Sequence, residues 1–342
     1  MASKTRKITF DILKYSITLG IAALLLWYVY KDFSFETLKI QLRYINYGWI
    51  SLSIFIALTS HYLRAYRWNI LLEPLGYNLK TSRTFIAVMV GYFANNLVPR
   101  LGEVTRCGIL KKNDGVSMTS AFGSVVAERA LDLIILMSLA SIIFVIEFDK
   151  LNKFVIDKFK DKIPNSESIY GLAFAAFVII LVLALASLIL FKLFRNKFHR
   201  SPMYLKVRRF TKELLNGFLS IKKIKRQVGF WLSTIGIWLL YYMMLIVVFY
   251  AFPPTVNLSL IAGFTLLIMS GLGMSAPVQG GIGVFHILVS SVLVLYGISA
   301  EDGKVFALIA HTTQFVTIII FGGISFVISV FMRPKSSYAD SK

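Results

Sequence analysis

The sequence has one cysteine, few charges and none of the short motifs that mark soluble enzymes. Because Cys107 is the single cysteine, an intrachain disulfide and CxxC metal motifs are excluded. The four histidines show no spacing typical of metal ligands. There is no GxxxxGK[ST] phosphate loop, no GxSxG nucleophile elbow and no HExxH zinc motif. The sequence therefore predicts neither a metal site nor a cofactor.

Charged residues make up only 16% of the chain, whereas apolar residues make up 57%. A soluble globular chain averages about 25% charged and about 45–50% apolar residues. The excess lies in nearly uncharged runs, such as residues 17–30, 169–190 and 305–332, and each can cross a hydrocarbon core about 30 Å thick. The net charge is +20, and the basic residues that produce it lie between these runs, as expected for the cytoplasmic loops of a membrane protein. We therefore predict no nucleic-acid partner.

These runs predict an all-α integral membrane protein with about eight transmembrane helices in a single domain, residues 1–342. No segment between the spans exceeds about 40 residues, which is too short for a soluble catalytic domain with its own core. The candidate spans are residues 12–30, 48–66, 120–147, 169–194, 230–251, 258–276, 281–297 and 304–332.

The distribution of lysine and arginine predicts the orientation. Residues 192–229 contain twelve basic residues and one acidic residue, whereas residues 148–168 contain five and four. We therefore predict that the first segment is cytoplasmic and the second external, with both termini cytoplasmic, in a bacterial inner membrane. Apolar residues at helical spacing in 192–229 also predict an amphipathic helix held by anionic membrane lipids.

Two apolar segments are interrupted, one in each half of the chain. This orientation requires residues 85–110 to enter and leave on the same side, which predicts a re-entrant hairpin with its tip near 95–102. The second break runs from Pro277 to Gly283, where an ordinary helix–loop–helix turn is the alternative. Paired breaks of this kind mark the binding site of transporters built from inverted repeats, so we expect such a repeat here.

The hairpin tip carries the densest group of polar residues. Ionisable groups at membrane depth usually face a cavity or a partner, and arginine binds phosphate through a planar fork. Glu103 is spaced to pair with either arginine, and an ion cluster that fixes the hairpin is the alternative to a binding site. The candidate residues are Asn95, Asn96, Pro99, Arg100, Glu103 and Arg106.

Two further charged groups flank the hairpin. Glu128 and Asp132 share a helix face, and Arg129 is expected to pair with Asp132, as a structural ion network or a proton relay. Arg100 or Arg106 of the hairpin could also form an ion pair with this group. In the other group, residues 61–68, two arginines and Trp68 are expected to anchor a span end at the lipid interface.

Four ordered stretches resemble the lysylphosphatidylglycerol synthase transmembrane-region family: 64–72, 95–106, 125–132 and 277–283. The resemblance covers about residues 15–330 and implies about eight spans, re-entrant elements and lipid handling. Bifunctional members of that family move an aminoacylated phospholipid between leaflets. Where family members often have a glutamate after the glycine turn, this sequence has His286, which could act as a pH-sensitive group.

Together these features predict a flippase-like translocase for a phospholipid or lipid-linked head group. The alternatives are a membrane glycosyltransferase or related enzyme, with Glu103 or Glu128 as base, and a non-transporting partner of an envelope enzyme. A homo-oligomer is left open. The candidate substrate-binding residues are the six at the hairpin tip together with Glu128, Arg129, Asp132, Gln279, Gly280, Gly281 and His286.

Overall fold

A computed structural model describes residues 19–98, 100–150, 224–276 and 278–333. The chain divides into two compact units, one formed by Met1–Ala140 with Ser220–Lys342 and the other by Ser141–Leu219. The site described below belongs to the first unit. The predicted span 169–194 and the basic segment 192–223 lie outside the described residues.

Regular secondary structure in the described residues is helical throughout. A short 3₁₀ turn, Gln279–Gly281, lies at the second predicted break. The helices are α1 (Leu19–Tyr30), α2 (Phe35–Arg43), α3 (Tyr47–Leu72), α4 (Thr81–Leu97), α5 (Gly102–Asp114), α6 (Met118–Ile146), α7 (Gln227–Ala251), α8 (Leu260–Ser275), α9 (Val284–Leu295) and α10 (Ala300–Phe331).

Each predicted span within the described residues contains a helix, which confirms the all-helical class. By length and composition, α6, α7 and α10 are long and apolar enough to cross a membrane. The apolar helices α1 and α8 are shorter, and the last apolar segment before α10 covers Gln279–Leu295. The number of about eight spans therefore stays a prediction. Helix α2 was not predicted, because its sequence is short and largely polar.

Side-chain caps begin several of these helices. The Asn46 side chain accepts a hydrogen bond from the Gly48 amide at 3.0 Å, before α3. Ser259 and Ser299 accept in the same way from amides in the first turns of α8 and α10. These caps satisfy amides that have no partner within the helix, so short polar residues between apolar runs mark the helix starts.

The three described helices that are long and apolar enough to span a membrane expose large apolar side chains. Ile134 on α6, Leu232 on α7 and Phe331 on α10 are 48%, 65% and 80% exposed. Large exposed apolar surfaces are unfavourable in water and fit a lipid environment. The surface of the described residues therefore agrees with the membrane class predicted from composition.

The described helices pack around two large apolar clusters and a smaller one between α3 and α7. Helix α3 runs along α7, and α4 packs against α3, α5 and α10, while α9 packs against α8 and α10. One large cluster contains Trp68, Cys107 and Val125 from α3, α5 and α6. The other large cluster contains Phe285 and Phe306 from α9 and α10. Polar side chains from helices of both large clusters meet at the site described below.

Burial of Cys107 gives a simple test of the hairpin packing. Its side chain is fully buried, so the thiol should not react with a bulky maleimide in folded, detergent-solubilised protein. Reaction should be complete after denaturation in SDS, as measured by mass shift. The control is Lys112→Cys on the exposed side of α5, which should react readily. If both thiols reacted at similar rates in folded protein, the packing of α5 described here would be wrong.

Candidate functional site

A buried ion-pair network joins α3, α5 and α6, and Glu128 is at its centre. Its Oε1 lies 3.2 Å from Arg64 Nε and 3.5 Å from Arg67 Nη2. Its Oε2 accepts a hydrogen bond from Arg106 Nη1 at 3.2 Å. All four side chains are buried. A buried charge without a partner costs roughly several kcal/mol, so these contacts hold the three helices together.

Asp132 extends the network by one turn of α6. Arg64 Nη2 and Arg67 Nη2 both donate to Asp132 Oδ2, the second at 3.0 Å, and Arg67 Nη2 also lies 2.8 Å from Oδ1 as an ion pair. Arg64 also donates through Nη1 to Tyr92 Oη on α4, at 2.7 Å. Arg64 therefore connects both carboxylates of α6 with α4.

The network carries more positive than negative charge, because three arginines surround two carboxylates. In the described residues, Nε and Nη1 of Arg67 and Nε and Nη2 of Arg106 have no hydrogen-bond partner. The Arg106 guanidinium lies 4.6 Å from the centre of the Trp68 ring. This cation–π contact partly stabilises the Arg106 guanidinium, two of whose nitrogens have no hydrogen-bond partner in the described residues. The surplus of one charge leaves the network suited to an anion.

The first break separates α4 from α5 at the predicted hairpin tip. The Asn95 side chain accepts a hydrogen bond from the Gly102 amide at 2.6 Å, which ties the two helix ends together. A Cβ added at Gly91 would lie 2.9 Å from the Gly102 carbonyl oxygen, so this close approach requires glycine. Arg100 is the only non-glycine residue in the described chain with positive φ, 64°. Such conformations are uncommon and cluster at functional sites.

A second ion pair lies beside the hairpin tip. Glu103 Oε1 on α5 is 3.2 Å from Arg129 Nη2 on α6. The side chains are 26% and 41% exposed, so water screens this pair more than the buried network. The pair leaves Glu103 facing the open side of the site with its charge already balanced.

The second break contacts the first. Gln279 Nε2 donates to the carbonyl oxygens of Asn96 and Leu97, at 2.7 and 3.0 Å. These carbonyls are at the end of α4, where the helix itself supplies no donor. The Gly280 carbonyl accepts a hydrogen bond from His311 Nε2 on α10, at 2.8 Å. The two interrupted segments are therefore neighbours in space.

Glycines shape the turn that precedes α9. Gly280, Gly281 and Gly283 have φ values of 57°, 70° and 84°, which favour glycine. The Gly283 amide donates to Nδ1 of His286 at 3.3 Å, and His286 is buried. His286 therefore fixes the start of α9 and is not among the residues that line the cavity described next.

A cavity of about 530 Å³ lies where the ion network and the two breaks meet. Its wall combines charged residues with aromatic side chains from α4 and α7. Seven predicted site residues line it: Asn95, Asn96, Arg100, Glu103, Arg129, Asp132 and Gly280. The lining also includes side chains that were not predicted, among them Tyr92, Trp238, Tyr241, Gln314 and Thr317.

Helical spacing was the available signal for the missed residues. Trp238 and Tyr241 are three apart on α7, and Gln314 and Thr317 are three apart on α10. Residues at this spacing share a helix face. In spans that are otherwise apolar, each pair marks the side of the helix that faces the cavity.

Several predicted contacts are wrong. Glu103 pairs with Arg129 and not with Arg100 or Arg106. Arg129 therefore does not pair with Asp132, whose partners are on α3. Arg100 and Arg106 were both candidates to pair with the charged group on α6, and of these Arg106 pairs with Glu128. The physical reason is that α3 and α5 both pack against α6, so charged residues of one helix find partners on another helix before they find one along their own.

The predicted interface anchor at the end of α3 is also corrected. Arg64, Arg67 and Trp68 are 5%, 0% and 0% exposed. The Trp68 indole donates to Ser124 Oγ at 2.8 Å, inside the protein. These residues do not extend to lipid head groups because this part of α3 packs into the interior, and the network carboxylates replace lipid phosphate as partners.

The other predicted site residues have supporting positions or are not described. Arg106 and Glu128 form a buried layer in which Glu128 contacts Arg64, and Arg64 in turn binds Asp132. Gln279 and Gly281 belong to the turn at the second break and are not lining residues. Pro99 and Pro277 lie outside the described residues.

These observations define a helical membrane protein with an arginine-rich cavity between two interrupted segments. A sequence profile of the lysylphosphatidylglycerol synthase transmembrane region matches residues 15–322. The chain therefore belongs to this family, as the four sequence stretches indicated.

Similar proteins carry the name UPF0104 membrane protein. One from Methanocaldococcus jannaschii is 27% identical over 71% of this chain and 98% of its own length. Another from that organism is 30% identical over 34% of this chain and 33% of its own length. One from Pyrococcus horikoshii is 30% identical over 34% of this chain and 35% of its own length. The match thus spans about a third of the length of each of the latter two proteins. No solved structure is significantly similar to the chain.

Proposed function

We propose that this protein moves a phospholipid or a lipid-linked head group from one leaflet to the other, with the head group passing through the cavity. The observation that carries the proposal is the position of Arg64, Arg100 and Arg129 on the wall of one cavity between two interrupted segments. Interrupted helices at membrane depth are found where they line a substrate cavity. The volume of about 530 Å³ lies within the usual range for small-ligand sites.

Arg100 is the strongest candidate for direct contact with phosphate. It lines the cavity, is exposed, and has no carboxylate partner within the described part of the chain. Its guanidinium can therefore bind a phosphate without breaking an existing ion pair. Arg64 and Arg129 are already paired, and they add positive potential to the wall.

The same geometry gives less support to a glycosyltransferase function. Such an enzyme would need Glu103 or Glu128 as a base. Glu103 is bound by Arg129, and Glu128 is bound by three arginines. Use of either glutamate as a base would first require one of these arginine contacts to be broken.

The proposal is tested with purified protein in liposomes that contain a fluorescent phosphatidylglycerol. Dithionite quenches the outer leaflet, and the loss of protected fluorescence measures movement between leaflets, with and without an imposed pH gradient. The wild type should accelerate this loss over empty liposomes. Arg100→Ala should reduce the rate about tenfold or more, because a hydrogen bond to a charged group contributes about 1.5–3 kcal/mol.

The control variant is Lys112→Ala, which removes a cation from the exposed side of the same hairpin, outside the cavity lining. It should retain the wild-type rate. If wild type and empty liposomes agree with and without the gradient, translocation is refuted. If Arg100→Ala moves lipid as fast as Lys112→Ala, the cavity assignment is refuted.

A further inference from the structure

The cavity and the buried layer behind it have a marked surplus of positive charge. Within the described residues, five arginines face three carboxylates, which leaves two positive charges. Charges in a region of low dielectric constant interact strongly, so this surplus acts on any head group that enters. The arginines are Arg64, Arg67, Arg100, Arg106 and Arg129, and the carboxylates are Glu103, Glu128 and Asp132.

Each of these carboxylates is already bound by arginine. Glu128 contacts three arginines, Asp132 contacts two, and Glu103 contacts Arg129. Glu103 and Asp132 are the only acidic residues on the described cavity wall. A cationic group that entered the cavity would therefore have to displace an arginine to gain a carboxylate partner.

Around the cavity and in the layer behind it, most buried side-chain atoms that lack a hydrogen-bond partner in the described chain are donors. The acceptor oxygens among them, on Glu128 and Asp132, are held in ion pairs with arginine. Asn96 Nδ2 and Trp238 Nε1 have no hydrogen-bond partner in the described residues, and both residues line the cavity. Arg67 and Arg106 have unpaired N–H groups in the layer behind. Amide nitrogen, indole nitrogen and guanidinium can donate but not accept. A ligand that satisfies them must be rich in acceptor oxygens.

We infer that the cavity selects lipids whose head group has a net negative charge and is rich in oxygen acceptors, and discriminates against aminoacylated, cationic head groups. This inference rests on the proposed function and specifies its substrate class. A phosphodiester with a glycerol head group offers acceptors to the unpaired donors and compensates part of the surplus charge. A lysyl ester of the same lipid adds two ammonium groups beside Arg100 and Arg129, where like charges repel.

The test compares fluorescent phosphatidylglycerol, phosphatidylcholine and lysylphosphatidylglycerol in the liposome assay, one labelled lipid at a time in vesicles of otherwise identical composition. The readout is the ratio of the protein-dependent rates, which is independent of the amount of active protein. Phosphatidylglycerol should move about tenfold faster than lysylphosphatidylglycerol, with phosphatidylcholine between them.

Arg129→Gln tests the physical cause, because it removes the partner of Glu103 and exposes a carboxylate to the cavity. It should raise the rate ratio of the lysyl lipid to phosphatidylglycerol several-fold. Arg100→Gln, at an exposed position where folding is not at risk, should shift the ratio in the same direction by removing one charge. Lys112→Gln is the matched control and should leave the ratio unchanged.

The outcomes separate this inference from the proposed function. If no lipid moves faster than in empty liposomes, translocation itself is refuted. If the lysyl lipid moves as fast as phosphatidylglycerol, or if both arginine variants keep the wild-type ratio, translocation stands and anion selection is refuted.

Discussion

Replacement of Glu128 with glutamine should destabilise the folded protein by about 3–5 kcal/mol. Glutamine has nearly the same shape, so the change removes the negative charge and little else. Arg64, Arg67 and Arg106 would then remain buried with only Asp132 to balance them. The measurement is the free energy of unfolding in detergent, obtained from denaturant titration followed by tryptophan fluorescence.

Glu103→Gln is the matched control, since it also neutralises a glutamate with an arginine partner. Its ion pair is partly exposed, so the same measurement should change by at most about 1 kcal/mol. Equal effects of the two substitutions would mean that burial of the network does not contribute the stability assigned to it.

The second large effect is expected from Gly102→Ala at the hairpin tip. A Cβ at this position would overlap the backbone carbonyl oxygen of Gly91 on α4 and would lie 2.5 Å from Cγ of Asn95, so the two helix ends would have to move apart. The Asn95 side chain would have to move and lose its hydrogen bond to the Gly102 amide. We expect a loss of about 1–3 kcal/mol in unfolding free energy, as for other overpacked sites, and slower lipid movement in liposomes.

The control for this prediction is Gly108→Ala, on the same helix. No heavy atom lies within 4 Å of a Cβ added there. Because alanine favours helix more than glycine does, this variant should be as stable as the wild type or more stable by up to about 1 kcal/mol. If Gly102→Ala behaved like Gly108→Ala, the close packing of α4 and α5 would not be needed for stability.

The two experiments examine features that were unequally visible in the sequence. The break near Gly102 was predicted, because proline and glycine act on the local backbone. The polar groups on α5 and α6 were also predicted to lie near one another, and they do. Their pairing was not predicted, since Glu103 and Arg129 are joined by the packing of two helices and not by spacing along one. For the same reason, Arg64 and Arg67 were assigned to the lipid interface.

The sequence by itself determined the helical membrane class, the positions of most helices and the two interrupted segments. Hydropathy, glycine and proline act over a few neighbouring residues, so they can be read locally. Only the tertiary structure determined which arginine pairs with which carboxylate. Arg64 and Asp132 are 68 positions apart, and no local pattern brings them together. Their contact depends on α3 and α6 meeting in the fold, where Trp68 also donates to Ser124, and the same packing places arginines around one cavity.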